Sequence, residues 1–447
     1  MGNGRNNRGG PGTARRVSLC GVFALLALCV SAAPVGAVVI RTGDGTGTAS
    51  APADDPGWLN VGKLGVATGV YLGSRWVLTL NHVGAGNIDL NGSTYGSTGA
   101  QLRLKNLTGG FTEFTDLLLF RIDVAPPGLP DLNISSFAPP AGSGSSGADL
   151  VMIGYGRTRD IDDTYWNVDM TTTPWHWTVL PSSVGAEAHG YNALSSKVKR
   201  WGENDLKSKI PKLPTTQGDV KALETVFDET GGHMYEAQAV GGDSGGAVFY
   251  KNSGNWELAG LMGWVNFPPS LQDEDVNAPA GTRPLFGSLT YAADLSEYKS
   301  QITPLVNPEP GDMNADGVVN VDDVPWFLTA LTDPDAYLSE FFFVDSFADI
   351  VRYGDFDDNG IFDLGDLGLF NSMISGSTFA AAQAVPEPSA FSLFVVGVLS
   401  LGYLVRRRSS DCIFRVCFTT LGTSRSLLAQ LPLRFKESRQ YLAARFQ

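Results

Sequence analysis

The sequence predicts a mainly β domain followed by a small α-helical module and a C-terminal apolar helix. Three observations predict it. Short apolar runs bounded by polar turns, such as 75–82 and 116–122, suit strands. Two acidic loops of identical spacing, 312–323 and 355–366, are each followed by helix-compatible apolar residues. An apolar stretch from Ser389 to Val405 ends on Arg406-Arg407-Arg408, the pattern of a helix stopped in a membrane by a basic cytoplasmic flank.

Taken in order, Arg15-Arg16 precede an apolar run from Val17 to Val30, and small residues follow with Val35-Gly36-Ala37 as the cleavage site. Residues 1–37 therefore read as a signal peptide; a retained anchor is the alternative, and the run is short for a spanning helix. Cys20, Cys29, Cys412 and Cys417 all lie near the termini, so the expected body, 38–305, contains no cysteine. A domain of more than about 200 residues can bury enough apolar surface without disulfides.

The body holds Gly241-Gly242-Asp243-Ser244-Gly245-Gly246. Glycines here let the backbone turn sharply and leave room for a substrate carbonyl to approach two amides. An ordinary glycine-rich turn is the bland reading. A serine nucleophile needs a histidine base and a buried carboxylate. His82 ends the apolar run Arg75-Trp76-Val77-Leu78-Thr79-Leu80-Asn81-His82, and Asp116 opens Asp116-Leu117-Leu118-Leu119-Phe120-Arg121-Ile122. Among the other histidines, His176, His189 and His233, none ends an apolar strand, and surface or packing roles fit them better.

These three segments, in the order His, Asp, Ser, resemble the motifs of the trypsin/chymotrypsin family of serine proteases. The resemblance implies two six-stranded Greek-key β-barrels, catalysis by His82, Asp116 and Ser244, an oxyanion hole from the amides of Gly242 and Ser244, and no catalytic cofactor. Leu150 to Gly156 resembles a strand of the second barrel. Positions where the family often carries cysteines hold Val83, Ala67 and Val240, so packing must hold these loops. Cleavage after Ala37 exposes Val38-Val39-Ile40, and the resemblance implies that the Val38 ammonium pairs with Asp243. It also implies a substrate pocket with Gln238 at its floor and Gly263-Trp264-Val265 along its wall. That lining is uncharged, which favours small or medium uncharged side chains on a protein or peptide substrate. The stretch between Gly156 and Gln238 is long and aromatic, with Tyr165, Trp166, Trp175, Trp177, Tyr191 and Trp201. Its Lys197 to Lys209 portion is expected to form a solvated helix or loop, with a substrate-gating insertion as the alternative.

Residues 306–310 read as a linker. The loops beyond it place oxygen ligands at Asp312, Asn314, Asp316, Asn320 and Asp323, and at Asp355, Asp357, Asn359, Asp363 and Asp366. Val318 and Ile361 supply backbone carbonyls, and glycine stands at the sixth position of each loop. These are Ca2+ loops, and the pair resembles a type I dockerin over 311–378. That resemblance implies a cohesin-like partner. Val385-Pro386-Glu387-Pro388, the apolar segment and the basic cluster, 385–408, resemble a PEP-CTERM sorting signal. It implies transient residence in the inner membrane, cleavage by a membrane-bound transpeptidase and an extracellular or cell-surface destination; a plain membrane anchor is the alternative. The tail 409–447 carries no functional signal. The formal charge is −14, with acids crowding the calcium loops, which disfavours nucleic acid as a partner. A non-catalytic surface or adhesion protein on a protease-like scaffold is the competing reading.

Overall fold

The two runs picked out as strands hydrogen-bond to each other: Trp76–Leu80 (β4) lies antiparallel to Phe114–Ile122 (β8), with Leu80 opposite Leu117. Both are almost wholly buried, as expected of near-continuous apolar runs inside a sheet. The computed structural model describes residues 38–142, 146–172, 175–271, 283–341, 344 and 347–379. Residues 1–37, read from the sequence as a signal peptide, the 385–408 segment expected to carry an apolar helix, and the tail 409–447 lie outside these residues. The chain divides into two units, one ending at Asn307 and the other starting at Pro308.

The first unit begins with Val39–Ile40 (β1). A seven-stranded antiparallel sheet follows from Val61–Leu64 (β2), Ala67–Gly73 (β3), β4, Ile88–Leu90 (β5), Ser93–Tyr95 (β6), Ser97–Lys105 (β7) and β8, in the order β6-β5-β2-β3-β4-β8-β7. Its core gathers Leu64, Tyr71, Val77, Ile88, Leu90, Phe120 and Ile122, with Val83 packed against them. An apolar contact thus stands at Val83, one of the positions where the resemblance implied a cysteine.

The next strands are Asp149–Gly154 (β9), Arg157–Arg159 (β10), Thr164–Asp169 (β11), His176–Leu180 (β12), Ala188–Gly190 (β13), Ala193–Lys197 (β14), Arg200–Asp205 (β15), Ser208–Leu213 (β16), Val220–Val226 (β17), Ala237–Gln238 (β18), Gly246–Asn252 (β19), Asn255–Asn266 (β20) and Leu289–Asp294 (β21). Seven of them form the second antiparallel sheet, β15-β9-β19-β20-β21-β17-β16. Its core contains Leu150, Met152, Leu223, Val248 and Met262, and it includes Val38 and Ile40 from the start of the described chain. Two antiparallel sheets and few helices agree with the chymotrypsin-like architecture. Each sheet has seven strands where six were expected; the short β5–β6 hairpin extends the first at its edge.

The expectation for Lys197 to Lys209 is corrected. This segment supplies β15 and the start of β16, the two outer strands of the second sheet. Arg200, Gly202 and Asn204 alternate inward, and Asn204 Nδ2 donates to the carbonyls of Val226 and Ala237, both at 2.8 Å. A strand whose inward side chains are polar has the composition of a surface loop. Upstream, β12-β11-β13 make a three-stranded sheet over Trp166, Val168, Phe267 and Leu285, while β10 pairs with β14.

In the second unit, Val324–Thr332 (α2), Pro334–Glu340 (α3), Phe347–Gly354 (α4) and Leu367–Phe379 (α5) follow Lys299–Val306 (α1), the last helix of the first unit. Phe327 stacks on Phe370 at 4.3 Å between centroids and meets Phe362 edge-on at 4.9 Å, so the two repeats share one aromatic core.

Candidate active site

β4 ends at Leu80, and the chain turns at once: the amides of Val83 and Gly84 both return to the Leu80 carbonyl. His82 stands in that turn. Its Nδ1 lies 2.7 Å from Asp116 Oδ2, and its backbone amide donates to Asp116 Oδ1 at 2.9 Å. The Asn81 amide donates to the Asp116 carbonyl at 2.8 Å, so pairing of β4 with β8 fixes the two residues in register. Asp116 is fully buried, whereas the His82 side chain is partly exposed. A buried carboxylate that grips both ring and backbone sets the ring's orientation and favours a proton on Nδ1, leaving Nε2 as the base.

Ser244 is half-buried in the loop between β18 and β19. The first sheet latches this loop through Thr68. Its amide donates to the Ser244 carbonyl at 3.0 Å, and its hydroxyl donates to the Gly242 carbonyl at 2.9 Å while accepting from the Tyr155 amide at 2.9 Å. Thr79 Oγ1 in turn donates to the Thr68 carbonyl at 2.9 Å. The approach is so close that a Cβ on Gly245 would lie 2.1 Å from that carbonyl, which explains glycine there. Thr79 stands three residues before His82, and Leu80 packs where a Cβ on Gly263 would sit, at 2.8 Å. The end of β4 therefore meets both the Ser244 loop and the strand carrying Gly263, Trp264 and Val265.

Among the described residues, Ser244 Oγ makes no hydrogen bond to His82 Nε2; such contacts commonly tighten only when substrate binds. Among the same residues the amides of Gly242 and Ser244 donate to no protein acceptor, leaving both donors available to a ligand oxygen.

Asp243 points the other way and is buried. Its Oδ1 accepts from the Val38 nitrogen at 3.3 Å and its Oδ2 from the Val240 amide at 2.9 Å. Gly154 and Gly156 make room for this carboxylate, since Cβ atoms there would lie 2.2 and 2.4 Å from its oxygens. Burial pushes the Asp243 carboxyl up to about 7, opposed by amides of Val240, Val38 and Gly156 and by the charge of Lys197. Val38 is itself fully buried and has φ 29°, a conformation that a β-branched residue inside a continuous chain rarely adopts.

Gln238 is buried in β18, opposite Val39 of β1, and its Nε2 donates to the Leu289 carbonyl at 3.2 Å. Trp264 and Val265 lie on β20 opposite Tyr291 and Thr290. Val240 packs with Val39, Tyr191 and Phe227, again an apolar contact in place of a bridge. The remaining histidines have other partners. His233 Nε2 lies 3.1 Å from Asp205 Oδ1, His189 stacks on Tyr165, and His176 is exposed beside Thr178. Sequence reasoning missed Thr68, Thr79 and Lys197; the glycines flanking Tyr155 were the nearest signal of a carboxylate packed against that strand.

In the second unit the two loops repeat atom for atom. Asp312 accepts from the amides of Asp316 and Gly317, and Asp355 from those of Asn359 and Gly360. Asp323 and Asp366 reach back to Asn320 and Asn314, and to Asp363 and Asp357. Ala315 and Asp358 both take left-handed backbone. Asp312, Asp323 and Asp366 are fully buried. Burial and neighbouring carboxylates push Asp312 up to about 6 and Asp323 to about 7. Val318 and Ile361 are 57% and 56% exposed, and their hydrocarbon side chains leave the backbone carbonyls as the oxygens these positions can offer.

No family model matches this chain, and no curated protein matches it. Among solved structures it is similar to neuropsin, a serine protease expressed in the limbic system of mouse brain, at 15% identity and TM-score 0.35. The match covers 57% of this chain and 96% of neuropsin. It is also similar to an inactive form of the Rv3671c protease, at 14% identity and TM-score 0.29 over 56% of this chain and 90% of the other. An inactive mutant of Rv3671c from M. tuberculosis H37Rv matches at 14% identity and TM-score 0.30, over 60% and 95%.

Proposed function

We propose that this chain is an exported serine endopeptidase that hydrolyses peptide bonds through an acyl-enzyme. The observation that carries the reading is the short bond between His82 Nδ1 and the buried carboxylate of Asp116, held on the strand end that packs against the Ser244 loop. In this reading Ser244 Oγ attacks the scissile carbonyl while His82 Nε2 takes its proton. The imidazolium, balanced by Asp116, returns that proton to the leaving amine, and water then repeats the sequence to release the acid. The amides of Gly242 and Ser244 stabilise the oxyanion, each contributing about 3 kcal/mol. Gln238, Gly263, Trp264 and Val265 bound an uncharged pocket for small or medium side chains.

Signal removal after Ala37 gives Val38 a free ammonium 3.3 Å from Asp243, so export alone yields the active form. A full positive charge relieves the cost of burying that carboxylate, and the loop that carries Asp243 also carries both oxyanion donors. A serine-directed fluorophosphonate should label the matured protein, and Ser244→Ala should abolish labelling. A folded sample beginning at Val38 that takes no label would overturn the reading in favour of a non-catalytic scaffold.

The second unit fits Ca2+. Buried carboxylates in mutual repulsion, with carbonyl oxygens completing each loop, match a hard cation with six to eight oxygen ligands. Asp312, Asn314, Asp316, Val318, Asn320 and Asp323 would hold one ion, and Asp355, Asp357, Asn359, Ile361, Asp363 and Asp366 a second; the ions supply folding energy and take no part in catalysis. A dockerin-like role in binding a cohesin-like partner, and sorting at 385–388 by a membrane transpeptidase to the cell surface, complete the proposal. Calorimetry of the full chain should show one transition rising with added calcium and falling with chelator; identical melting in both would count against the loops.

A further inference from the structure

We infer that Arg159, seated on Tyr191, is the positioning residue that holds the matured N-terminal segment so that Val38 reaches Asp243. This rests on the reading that the Val38 ammonium organises the oxyanion loop.

The guanidinium of Arg159 is buried and addresses carbonyls instead of a carboxylate. Nε donates to Ile40 O at 2.8 Å. One terminal nitrogen donates to the carbonyls of Arg41, Thr42 and Gly43 at 3.1, 3.4 and 2.6 Å. The other turns to the carbonyls of Asp160 and Ile161 at 2.6 and 3.0 Å. Four consecutive carbonyls therefore converge on one side chain. Tyr191 forms the floor: its ring lies 3.9 Å from the guanidinium carbon, and its hydroxyl donates to Arg41 O at 3.0 Å. The same ring packs with Val39 and Val240, tying the collar to the Ser244 loop.

The opposite side of the segment is held as well. The Arg41 amide donates to Glu236 O at 2.9 Å, and its guanidinium donates to the carbonyls of Asp228, Glu229 and His233 at 3.2, 2.7 and 3.0 Å. Arg159 and Tyr191 come from the aromatic stretch between β9 and β15, which the sequence left as a gating insertion or loop. β10 and β14 of that stretch carry Arg159 at one end and, at the other, Lys197, whose ammonium stands 2.9 Å from where a Cβ on Gly242 would lie.

The physical consequence is an entropic one. A free chain end finds Asp243 only if its tether is short and directed, and fixing residue 40 leaves only Val39, itself paired with Gln238, between the clamp and Val38. A buried guanidinium with five donors is costly unless those donors are met, so the undocked segment leaves Nε and one terminal nitrogen of Arg159 without these partners and docking is favoured. Burial lowers the Arg159 pKa, with Tyr191, Asp163, Asp44 and Asp160 opposing the shift.

The test uses the full chain, exported and matured, with its N-terminus verified as Val38 by mass spectrometry. Arg159→Met should lower kcat/KM by about 100-fold, the scale of losing one oxyanion donor, while Arg159→Lys, with fewer donors, falls between. Two readouts separate positioning from plain destabilisation. The alkaline limb of kcat/KM, set by the Val38 amine facing Asp243 with Lys197 beyond it, should move to lower pH in Arg159→Met. Added Val-Val dipeptide, which can fill a vacated site, should restore activity. An unmoved limb with no rescue overturns the inference. Should Arg159→Met fail to fold, Tyr191→Phe removes one bond to Arg41 O and should shift the limb in the same direction; no shift overturns it too. If the parent enzyme has no amine-dependent limb, or a chain extended by Gly36-Ala37 is equally active, the N-terminal reading itself fails, whatever the Arg159 variants do.

Discussion

Asp116 and Asp243 are both buried in the first unit, and they differ in how each obtains its partner. Asp116 is served by His82, through ring and amide, from the turn that ends the adjacent strand of the same sheet. Those bonds form whenever β4 pairs with β8. Asp243 is served by the Val38 nitrogen from 205 residues away and by the Val240 amide, with the Lys197 charge as a further favourable influence. In the proposed reading the first carboxylate is completed by folding and the second by processing. Placing the base on the unconditional arrangement and the oxyanion loop on the conditional one would keep a precursor folded and inactive.

The largest expected effect tests the unconditional half. In Asp116→Asn the side-chain oxygen is required by the His82 amide, which now donates to Oδ1 at 2.9 Å. The amide nitrogen then faces Nδ1 and donates to it, forcing the ring proton onto Nε2, where no proton can be accepted from Ser244. We expect kcat/KM at pH 7 to fall by about 10⁴-fold with the fold intact. Steady-state kinetics alongside circular dichroism check this, and a loss below tenfold would dissociate Asp116 from the base.

Asp243→Asn addresses the conditional half and should cost less, about 100-fold in kcat/KM. Ser244, His82 and Asp116 stay in place, so the residual rate reflects an oxyanion loop held by Thr68 alone. Both kinetics and the yield of fluorophosphonate labelling should fall together. Equal losses in Asp116→Asn and Asp243→Asn would erase the distinction between the two aspartates.

The same contrast marks what could be read from the chain. His82 and Asp116 were legible because each lies at the end of an apolar run, and Ser244 because its glycines are adjacent in sequence. The two acidic loops were legible because their oxygen-bearing side chains fall within twelve residues. Thr68, Arg159 and Tyr191 were not, since their partners are remote: Thr68 meets Gly242 and Ser244, and Arg159 meets the carbonyls of 40–43. Backbone carbonyls are present at every residue and leave no compositional trace. Arg200 to Asp205 misled for a related reason, because Asn204 is satisfied by two carbonyls inside the sheet and its polarity suggested solvent.

The smallest effect is thermodynamic and separates the two states of Asp243. With Val38 still in peptide linkage, burial holds the Asp243 carboxyl at about 7, well above its unfolded value of 3.8. Between those two values the folded chain binds more protons at this site than the unfolded chain, so stability falls as pH rises from about 4 to 7. A free ammonium at Val38 favours the ionised carboxylate and brings its folded pKa back down, which removes that slope. Glu236, also pushed up to about 7 by burial, contributes equally to both forms and cancels in the comparison. Thermal melts in calcium-containing buffer should therefore show a chain retaining Gly36-Ala37 losing several degrees between pH 5 and 7.5 relative to the chain beginning at Val38. Parallel curves for the two forms would mean that Asp243 does not distinguish an amide from an ammonium, and the conditional half of the site would lose its basis.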